Sequence, residues 1–349
     1  MILTSYLRRE ILKPFFLIFF ALTFIFTVYM LARYLAQAAE GEIPTGVIFK
    51  LVSLRVLIAQ EILLPATFYF GVVIGLNRLF RNAEMIAMFA CGFGTGHLLR
   101  AILPPALICT ALVATLSLKV RPLAWQKFFA LKASLARSFD LSRLKGGVFY
   151  QLPNGAVFFA PKISKKKKQA YEVFVYKRED GNVKVIRAKE GEESLKGERI
   201  YLRLKEGRQY EFQNEEGLIL ISEFETFTLP VGKRKRPPKE KLKAKPTRAL
   251  WGLSTPEALA ELEWRLSAPL GALVLAFLAL ALAPARPRES TVRPFLWALF
   301  FFVLYFYGGA TLKKLVAQGS LPPWPGVFLI LFVLIFATLL AFWFGWRRP

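Results

Sequence analysis

The sequence predicts an α-helical membrane protein with six transmembrane helices (3+3) and an inserted, all-β, jellyroll-like domain. Three observations support this fold class. The chain of 349 residues is 55% hydrophobic, above the roughly 45–50% of soluble proteins. Its long uncharged stretches lie towards the two ends of the chain. Most of the net charge of +24 falls instead within residues 121–250, where short alternating segments replace the long apolar ones.

Six apolar stretches reach or approach the roughly 20 residues that a helix needs to cross a bilayer. Glu61 is the one charged residue that interrupts any of them. The stretches are 14–32, 56–77, 101–118, 266–285, 294–312 and 326–346. The first is longer than the apolar region of a signal peptide and fits an uncleaved span. We therefore expect three spans in residues 1–120, the β domain with a basic linker in 121–250, and three spans in 251–349.

Lys and Arg in the short loops predict the orientation, because cytoplasmic loops are enriched in them. The loops on the side of the two termini carry more of these residues than the opposite loops. We therefore expect both termini and the loop 78–100 in the cytoplasm. Long domains cross the membrane largely regardless of charge, so the basic domain is expected outside. That location argues against nucleic acid as a partner.

Residues 121–250 contain short segments rich in β-branched and aromatic residues. The pairs Asn154-Gly155 and Glu206-Gly207, and the run 180–182, are predicted turns between them. About seven short antiparallel strands would form a sandwich or jellyroll. The run 233–248 (KRKRPPKEKLKAKPTR) is predicted to be a solvated, proline-broken linker back to the membrane.

The sequence gives little support for catalytic, metal or cofactor chemistry. His97 is the single histidine, so a Ser-His-Asp triad or a His-rich metal site lacks its key group. Cys91 and Cys109 form no CxxC pair. A GxxxxGK[ST] phosphate loop is absent from the sequence, so an ATPase would have to be another polypeptide. We expect no catalytic residue, no bound metal and no cofactor.

Glu61 is an acid inside a predicted span, which by default marks a functional site. Near the outer interface it could instead be hydrated or pair with Arg55. The sequence favours this structural role. A membrane enzyme acting on lipid-linked sugars would need buried acids, and Glu61 alone gives that alternative weak support.

The loop after the second span predicts a short helix, with Asn82 as its N-cap and Gly92 as its stop. Glu84 would lie at the positive end of the helix dipole. An apolar face at i, i+3 and i+4 spacing would be formed by Met85, Met88 and Phe89. Such a helix could insert into a groove on a partner or lie on lipid headgroups, and the residues alone leave both open.

Four segments are similar to the LptF/LptG (YjgP/YjgQ) permeases, which export lipopolysaccharide. They are YLRRE at 6–10, RYL at 33–35, EMIAMFACG at 84–92 and AELEWRL at 260–266. Their order and spacing resemble the family over nearly the whole chain, and the Ala-Cys-Gly and Ala-Glu-Leu-x-Trp-Arg signatures look more like its LptF members. The resemblance implies a permease subunit of an ABC-type complex in the bacterial inner membrane, with a periplasmic jellyroll.

The resemblance also implies partners. These are a paralogous, LptG-like permease, a cytoplasmic LptB-like ATPase dimer, an LptC-like or LptA-like periplasmic bridge, and lipopolysaccharide as cargo. Glu84 would be the acid of a coupling helix at about residues 81–92 that engages the ATPase. Beside it would lie Arg81, Met85, Met88 and Phe89. The alternative is a non-transporting membrane scaffold or sensor with a periplasmic binding domain, which would have no ATPase partner.

Cations at the outer ends of the spans are candidates for contact with the phosphates and sugars of the lipid. Arg at such a position commonly snorkels to headgroups, but a guanidinium also suits bidentate capture of phosphate. The candidates are Arg33, Lys50, Arg55, Lys313 and Lys314. Aromatic side chains of the β domain would form its core or line an acyl-chain path. The candidates for that path are Phe149, Phe158, Phe174 and Phe212.

Overall fold

The computed structural model divides the chain into two compact units. It describes residues 2–39, 43–135, 141, 144–152, 155–164, 169–179, 182–196, 199–213, 217–233, 242–284 and 292–345. The helical unit comprises Met1–Leu131 and Glu240–Pro349, and the β unit comprises Lys132–Lys239. The helical unit therefore extends past both of the boundaries that the sequence predicts, at 120/121 and 250/251. The reason is that helix continues beyond residue 120 and begins again before residue 251.

Helices account for nearly all of the described part of the helical unit. They are α1 (Ile2–Ala39), α2 (Ile48–Arg81), α3 (Glu84–Ala90), α4 (Thr95–Thr115), α5 (Arg121–Leu135), α6 (Thr247–Trp251), α7 (Pro256–Leu282), α8 (Val292–Ala317) and α9 (Leu329–Gly345). A π-helical turn at Leu116–Val120 joins α4 to α5 without a break. Short 3-10 turns precede α2, α6 and α9.

Five helical segments of the described chain are long and apolar enough to cross a membrane. They are Leu3–Ala39, Thr95–Ala133, Pro256–Leu282, Val292–Ala317 and Gly326–Trp343. The prediction of long apolar spans is confirmed for these five. The sixth predicted stretch lies in α2, a helix of 34 residues that is not among them.

Two glycines bring α1 and α2 into close antiparallel contact. A Cβ atom at Gly75 would lie 2.7 Å from the carbonyl oxygen of Glu10, and one at Gly71 would lie 2.8 Å from Cα of Phe15. Glycines four residues apart are typical of helices whose backbones approach closely in membranes. This contact brings Glu10 next to the last turn of α2.

Helix α7 is the most enclosed of the apolar helices. It packs against α2, α4, α8 and α9, and most of its residues are buried. Alanines and Gly271 give it a narrow profile that lets neighbouring helices pack around it. The polar side chains that follow its first turn, Glu261, Glu263 and Arg265, are therefore surrounded by protein.

The β unit is an antiparallel sheet of seven strands. These are β1 (Phe149–Gln151), β2 (Val157–Phe159), β3 (Lys162–Ser164), β4 (Gln169–Glu179), β5 (Asn182–Lys196), β6 (Arg199–Gln213) and β7 (Gly217–Lys233). The order is β1-β2-β4-β5-β6-β7, with β3 also paired to β4. The antiparallel β prediction is confirmed. The prediction of uniformly short strands is wrong, because β5, β6 and β7 have 15, 15 and 17 residues, and the described strands pair into one sheet.

Glu206-Gly207 is not a turn between strands, because β6 continues through it. Glu206 has a φ of +48° and has no paired residue on either neighbouring strand, although Lys205 and Gly207 beside it are paired. A Cβ atom at Gly207 would lie 2.4 Å from the carbonyl oxygen of Arg187 on β5. Glycine is required here by the close approach of a neighbouring strand. The run 180–182 does separate two paired strands, since Glu179 pairs with Asn182, although residues 180 and 181 lie outside the described residues.

The predicted linker 233–248 is only partly described, since residues 234–241 lie outside the described chain. Residues 242–244 form a 3-10 turn, and α6 begins at Thr247. Ala244 is buried. The described end of this segment therefore packs on the helical unit through Leu242 and Ala244, while Lys243 and Arg248 are exposed.

Candidate functional sites

The short helix α3 exists as predicted, but its N-cap is different. The capping position is Ala83, with a φ of +60° and no side-chain cap. Asn82 instead donates from Nδ2 to Oε1 of Glu84 at 3.3 Å. Gly92 follows the helix with a φ of +83°, and the prediction that it ends the helix is confirmed.

The apolar face of α3 is turned into the protein. Met85 and Met88 are buried in the main core of the helical unit, and Phe89 packs against that core. The sequence left open whether this face inserts into a partner or lies on lipid headgroups, and in the structure it packs against the adjacent core of the same chain. The outward side carries Ile86, which is 46% exposed. Arg81, just before the helix, is exposed as well.

The carboxylate of Glu84 is bound by the N-terminal helix. The hydroxyl of Tyr6 donates to Oε2 of Glu84 at 2.6 Å. One turn further along α1, Glu10 accepts hydrogen bonds from Arg78 at the end of α2 and from Lys13. We call Tyr6, Glu10, Arg78 and Glu84 the α3 cluster. It ties α3 and α2 to α1 at one end of the helical unit.

A second set of charged residues is buried at the opposite end, and it begins with Glu61. The hydroxyl of Ser117, in the π-helical turn, donates to Oε1 of Glu61 at 2.8 Å. The guanidinium of Arg121 forms an ion pair with Oε2 of Glu61 at 3.1 Å. The alternative of a Glu61–Arg55 pair is therefore wrong. π-helical turns are frequent at functional sites. This one supplies Ser117 and leads directly to Arg121, the first residue of α5.

Glu261, near the start of α7, is the centre of this set. Its Oε1 lies 3.3 Å from Arg121 and 3.2 Å from Arg265, and its Oε2 accepts a hydrogen bond from Lys313 of α8. The remaining donors of Arg265 are bound by the segment before α7. Their acceptors are the carbonyl oxygens of Leu242, Lys243 and Lys245 and Oγ1 of Thr247. We call Glu61, Arg121, Glu261, Arg265 and Lys313 the buried charge network.

All five cations predicted to meet lipid phosphate lie at the end of the helical unit that holds this network. Arg33, Lys50 and Lys314 are exposed there, as a contact with a lipid headgroup requires. Lys313 is paired with Glu261, and its ammonium lies 5.2 Å from the centre of the Trp264 ring. Lys313 is therefore already paired with a carboxylate in this structure, and its predicted contact with lipid stays a prediction.

Arg55 is likewise held by protein groups. Its guanidinium carbon lies 4.3 Å from the centre of the Phe128 ring and 4.9 Å from that of Trp125. Its Nε donates to the hydroxyl of Tyr34 at 3.3 Å. Cations over aromatic faces are held electrostatically, so Arg55 joins α1, α2 and α5 where the sequence predicted a lipid contact.

One face of the β sheet is open, aromatic at one edge and charged at the other. A single cross-strand row on this face consists of Phe149, Phe159, Phe174, Arg187, Arg208 and Glu223. These residues line a cavity of about 1070 Å³. Phe212 lies on the same face by register. Phe158 is on the other face and is fully buried in the core of the β unit, and its place on an acyl-chain path stays a prediction.

Exposed ion pairs border this cavity. The ammonium of Lys189 donates to Glu206 at 2.7 Å, and Arg208 donates to Glu223 at 2.6 Å. The hydrogen bond from Lys189 lowers the pKa of the Glu206 carboxyl and raises the pKa of Lys189 itself. These side chains keep their charges at neutral pH and give the open face a polar margin.

Sequence reasoning missed four members of the buried site. They are Ser117, Arg121, Glu261 and Arg265. The predicted spans ended at residue 118 and restarted at residue 266, which left Arg121, Glu261 and Arg265 outside the apolar stretches. Ser117 lies inside one of these stretches but carries no charge that would mark it. A usable signal was present, because Glu261 and Arg265 are four residues apart on a helix that leads directly into a span, and charges in spans face protein partners.

Comparisons with known proteins cover nearly the whole chain. The model of the family "Lipopolysaccharide export system permease LptF/LptG" matches residues 5–346. The lipopolysaccharide export system permease protein LptF of Escherichia coli K12 is 27% identical over 331 residues, which is 93% of this chain and 89% of that protein. The LptF proteins of Escherichia coli O157:H7 and Shigella flexneri match to the same extent. The matched residues include both charged clusters and the inserted sheet.

Proposed function

The chain belongs to the LptF/LptG family of lipopolysaccharide export permeases, and from this premise we propose that it is the transmembrane permease subunit of an ABC-type exporter. It extracts lipopolysaccharide from the outer leaflet of the inner membrane and passes it to a periplasmic β-jellyroll bridge. A separate cytoplasmic ATPase hydrolyses the ATP. The observation that carries the proposal is the family match over residues 5–346, in a chain with an inserted antiparallel sheet and five helical segments long and apolar enough to cross a membrane.

In the proposed membrane arrangement α2 is the sixth span. Its 34 residues rise by about 50 Å at about 1.5 Å per residue, more than the roughly 30 Å hydrocarbon core. Both termini then lie in the cytoplasm and the β unit lies in the periplasm, as the loop charges favour. With this orientation, α3 is at the cytoplasmic surface and the buried charge network is near the periplasmic one.

Helix α3 is proposed to dock on an LptB-like ATPase dimer and to transmit its motion. Glu84 and Arg81 supply charge at the contact, and Ile86 supplies exposed apolar area. Met85 and Met88 act on the other side of the helix, where they pack into the helical core. A push on α3 therefore reaches α1 and α2 through tightly packed side chains and through the hydrogen bond between Tyr6 and Glu84.

The cargo is proposed to meet the periplasmic end of the helical unit, where an LptG-like permease completes the lipid cavity. Arg33, Lys50 and Lys314 are exposed there and suit the phosphates of lipid A. The open aromatic face of the β sheet, with Phe149, Phe174 and Phe212, would then guide acyl chains towards an LptC-like or LptA-like bridge.

Native mass spectrometry of the tagged protein, purified from its own membranes in mild detergent, tests this proposal. The wild type is expected to carry a second permease, two copies of the ATPase and a glycolipid. Glu84→Arg should lose the ATPase and keep the second permease, because the substitution reverses the charge at the proposed contact. Glu257→Arg, a charge reversal at an exposed site in the first turn of α7, is the matched control and should keep every component.

Two outcomes would contradict the proposal. A lone chain or a homodimer with ordinary phospholipid alone would favour the scaffold or sensor. Equal amounts of ATPase on Glu84→Arg and on the wild type would remove Glu84 from the docking site.

A further inference from the structure

The buried charge network contains more positive than negative charge. Within the described chain it joins three cations, Arg121, Arg265 and Lys313, to two carboxylates, Glu61 and Glu261. Burying an ionised group is costly unless an opposite charge compensates it. The network as it stands is therefore short of one negative charge.

Lys313 is the member of the network that an external anion would meet. Its side chain is 20% exposed, whereas those of the other four members are between 0% and 8% exposed. A second exposed lysine, Lys243, lies in the segment whose backbone carbonyls bind Arg265 of the network. The missing negative charge can thus be supplied from outside at this one position.

The two oxygens of Glu261 are divided between the interior and Lys313. Oε1 faces Arg121 and Arg265, whereas Oε2 binds Lys313. When Lys313 turns to an external anion, Glu261 keeps both guanidinium partners and is not left as an unpaired buried charge. When the anion leaves, Lys313 can pair with Glu261 again.

We propose that Glu261 competes internally with the phosphate of the cargo lipid for Lys313. The inference rests on the proposed function and adds to it the means by which the lipid is released. A lipid phosphate that binds Lys313 must displace the carboxylate of Glu261 from the Lys313 ammonium. When that carboxylate pairs with Lys313 again, the phosphate is released. Glu261 is a positioning residue, because it acts on the lipid through Lys313.

The test compares binding of bis-phosphorylated lipid A by the purified permease complex and by variants of it. Glu261→Gln removes the competing charge, so affinity should rise about tenfold, as expected for one charge-assisted hydrogen bond, and release of bound lipid should slow. Arg121 retains Glu61 in this variant, and Arg265 retains its carbonyl acceptors. Glu261→Asp keeps the buried charge but shortens its reach to Lys313, so it should change affinity in the same direction by a smaller factor.

Two controls make the result specific. Glu263→Gln removes a buried carboxylate two residues away that accepts from the backbone N–H of Val327 and does not touch Lys313, so it should leave affinity unchanged. Lys313→Gln in the Glu261→Gln background should abolish the gain. Millimolar inorganic phosphate should fail to displace bound lipid A, because the acyl chains contribute to binding only when they are attached to the phosphate.

The outcomes separate this inference from the proposed function. Equal affinity of the wild type and both Glu261 variants for lipid A would overturn the inference alone. So would a gain that persists without Lys313, or displacement of the lipid by inorganic phosphate. A wild-type complex that binds no lipid A at all would overturn the proposed function and the inference with it.

Discussion

The two charged clusters of the helical unit differ in how far they are removed from solvent. In the α3 cluster, Glu10 is buried but its partners Lys13 and Arg78 are 53% and 50% exposed. In the buried charge network every member except Lys313 is nearly inaccessible. Carboxylates and cations therefore form solvent-exposed ion pairs at one end of the helical unit and buried ion pairs at the other.

This difference decides which cluster can change during a working cycle. A half-exposed ion pair is worth about 0–1 kcal/mol, since water replaces either partner readily. A buried ion pair is costly to break, because water cannot solvate the charge that is left unpaired. The α3 cluster is thus suited to a contact that is made and broken, and the buried network to a fixed frame from which only Lys313 can be released.

Arg265→Met, in the buried charge network, should lower the free energy of unfolding more than any substitution in the α3 cluster. Removing this fully buried guanidinium leaves three backbone carbonyls and Thr247 without their donor and takes one cation from Glu261. We expect a loss of about 3–5 kcal/mol in the free energy of unfolding. The measurement is denaturant unfolding in detergent, followed by tryptophan fluorescence.

Arg248→Met is the matched control, because Arg248 is an exposed residue of α6. Its free energy of unfolding should stay close to that of the wild type. A loss no larger for Arg265→Met than for this control would show that the network does not stabilise the fold.

Tyr6→Phe should have a smaller effect at the opposite end. It deletes the hydroxyl that donates to Glu84 and leaves the aromatic ring in place. The expected loss in stability is about 0.5–1.5 kcal/mol, the usual net value of one hydrogen bond. Tyr29→Phe, on the exposed side of α1, should have no effect on the same unfolding curve.

Tyr6→Phe also separates the contact of Glu84 with Tyr6 from its proposed contact with the ATPase. Because the carboxylate remains and is freed from α1, association with the ATPase should be retained, whereas coupling of ATP hydrolysis to lipid release should weaken. Loss of the ATPase from Tyr6→Phe would mean that the hydroxyl is needed to present Glu84 correctly.

The layout of the molecule was largely predictable from sequence, because length and hydrophobicity determine it. Five long apolar helices and an antiparallel insert follow from runs of apolar residues and from β-branched segments between turn residues. Gly92 ended α3 as predicted, since few other residues accept its positive φ. Glu206-Gly207 was misassigned because the same dipeptide serves a turn and a strand with one unpaired residue, and only the neighbouring strand at Arg187 distinguishes them.

The interiors of both clusters could not be predicted, because they depend on which helix faces which. The spacing of Met85 and Met88 predicts an apolar helix face. It does not tell whether the rest of this chain or a partner protein covers that face. The sequence offered Arg55 as a partner for Glu61, whereas the structure pairs Glu61 with Arg121. Arg121 directly follows the π-helical turn at Leu116–Val120, and the sequence of these five residues does not predict such a turn.

Lys189→Gln, in the β unit, extends the comparison to a fully solvated pair and should give the smallest effect. The pKa of Glu206 is lowered and that of Lys189 is raised by their hydrogen bond. The contribution of Glu206 to the stability of the fold is therefore present above the pKa that Glu206 has in the unfolded chain. This contribution is lost as the pH falls through the lower pKa of the folded state. The contribution of Lys189 to stability is present below the pKa that Lys189 has in the unfolded chain, and it is lost only as the pH rises through the raised pKa of the folded state. Neither contribution therefore changes near neutral pH.

We expect no measurable change in the unfolding midpoint of Lys189→Gln at pH 7, because water and salt screen an exposed pair. The titration of Glu206, followed by carboxyl-carbon NMR of the full chain in detergent, should move to higher pH in the variant. Lys205→Gln removes a neighbouring ammonium that pairs with Glu192 and should leave the Glu206 titration in place. A destabilisation of Lys189→Gln as large as that of Arg265→Met would mean that burial does not separate the strong ion pairs of this protein from the weak ones.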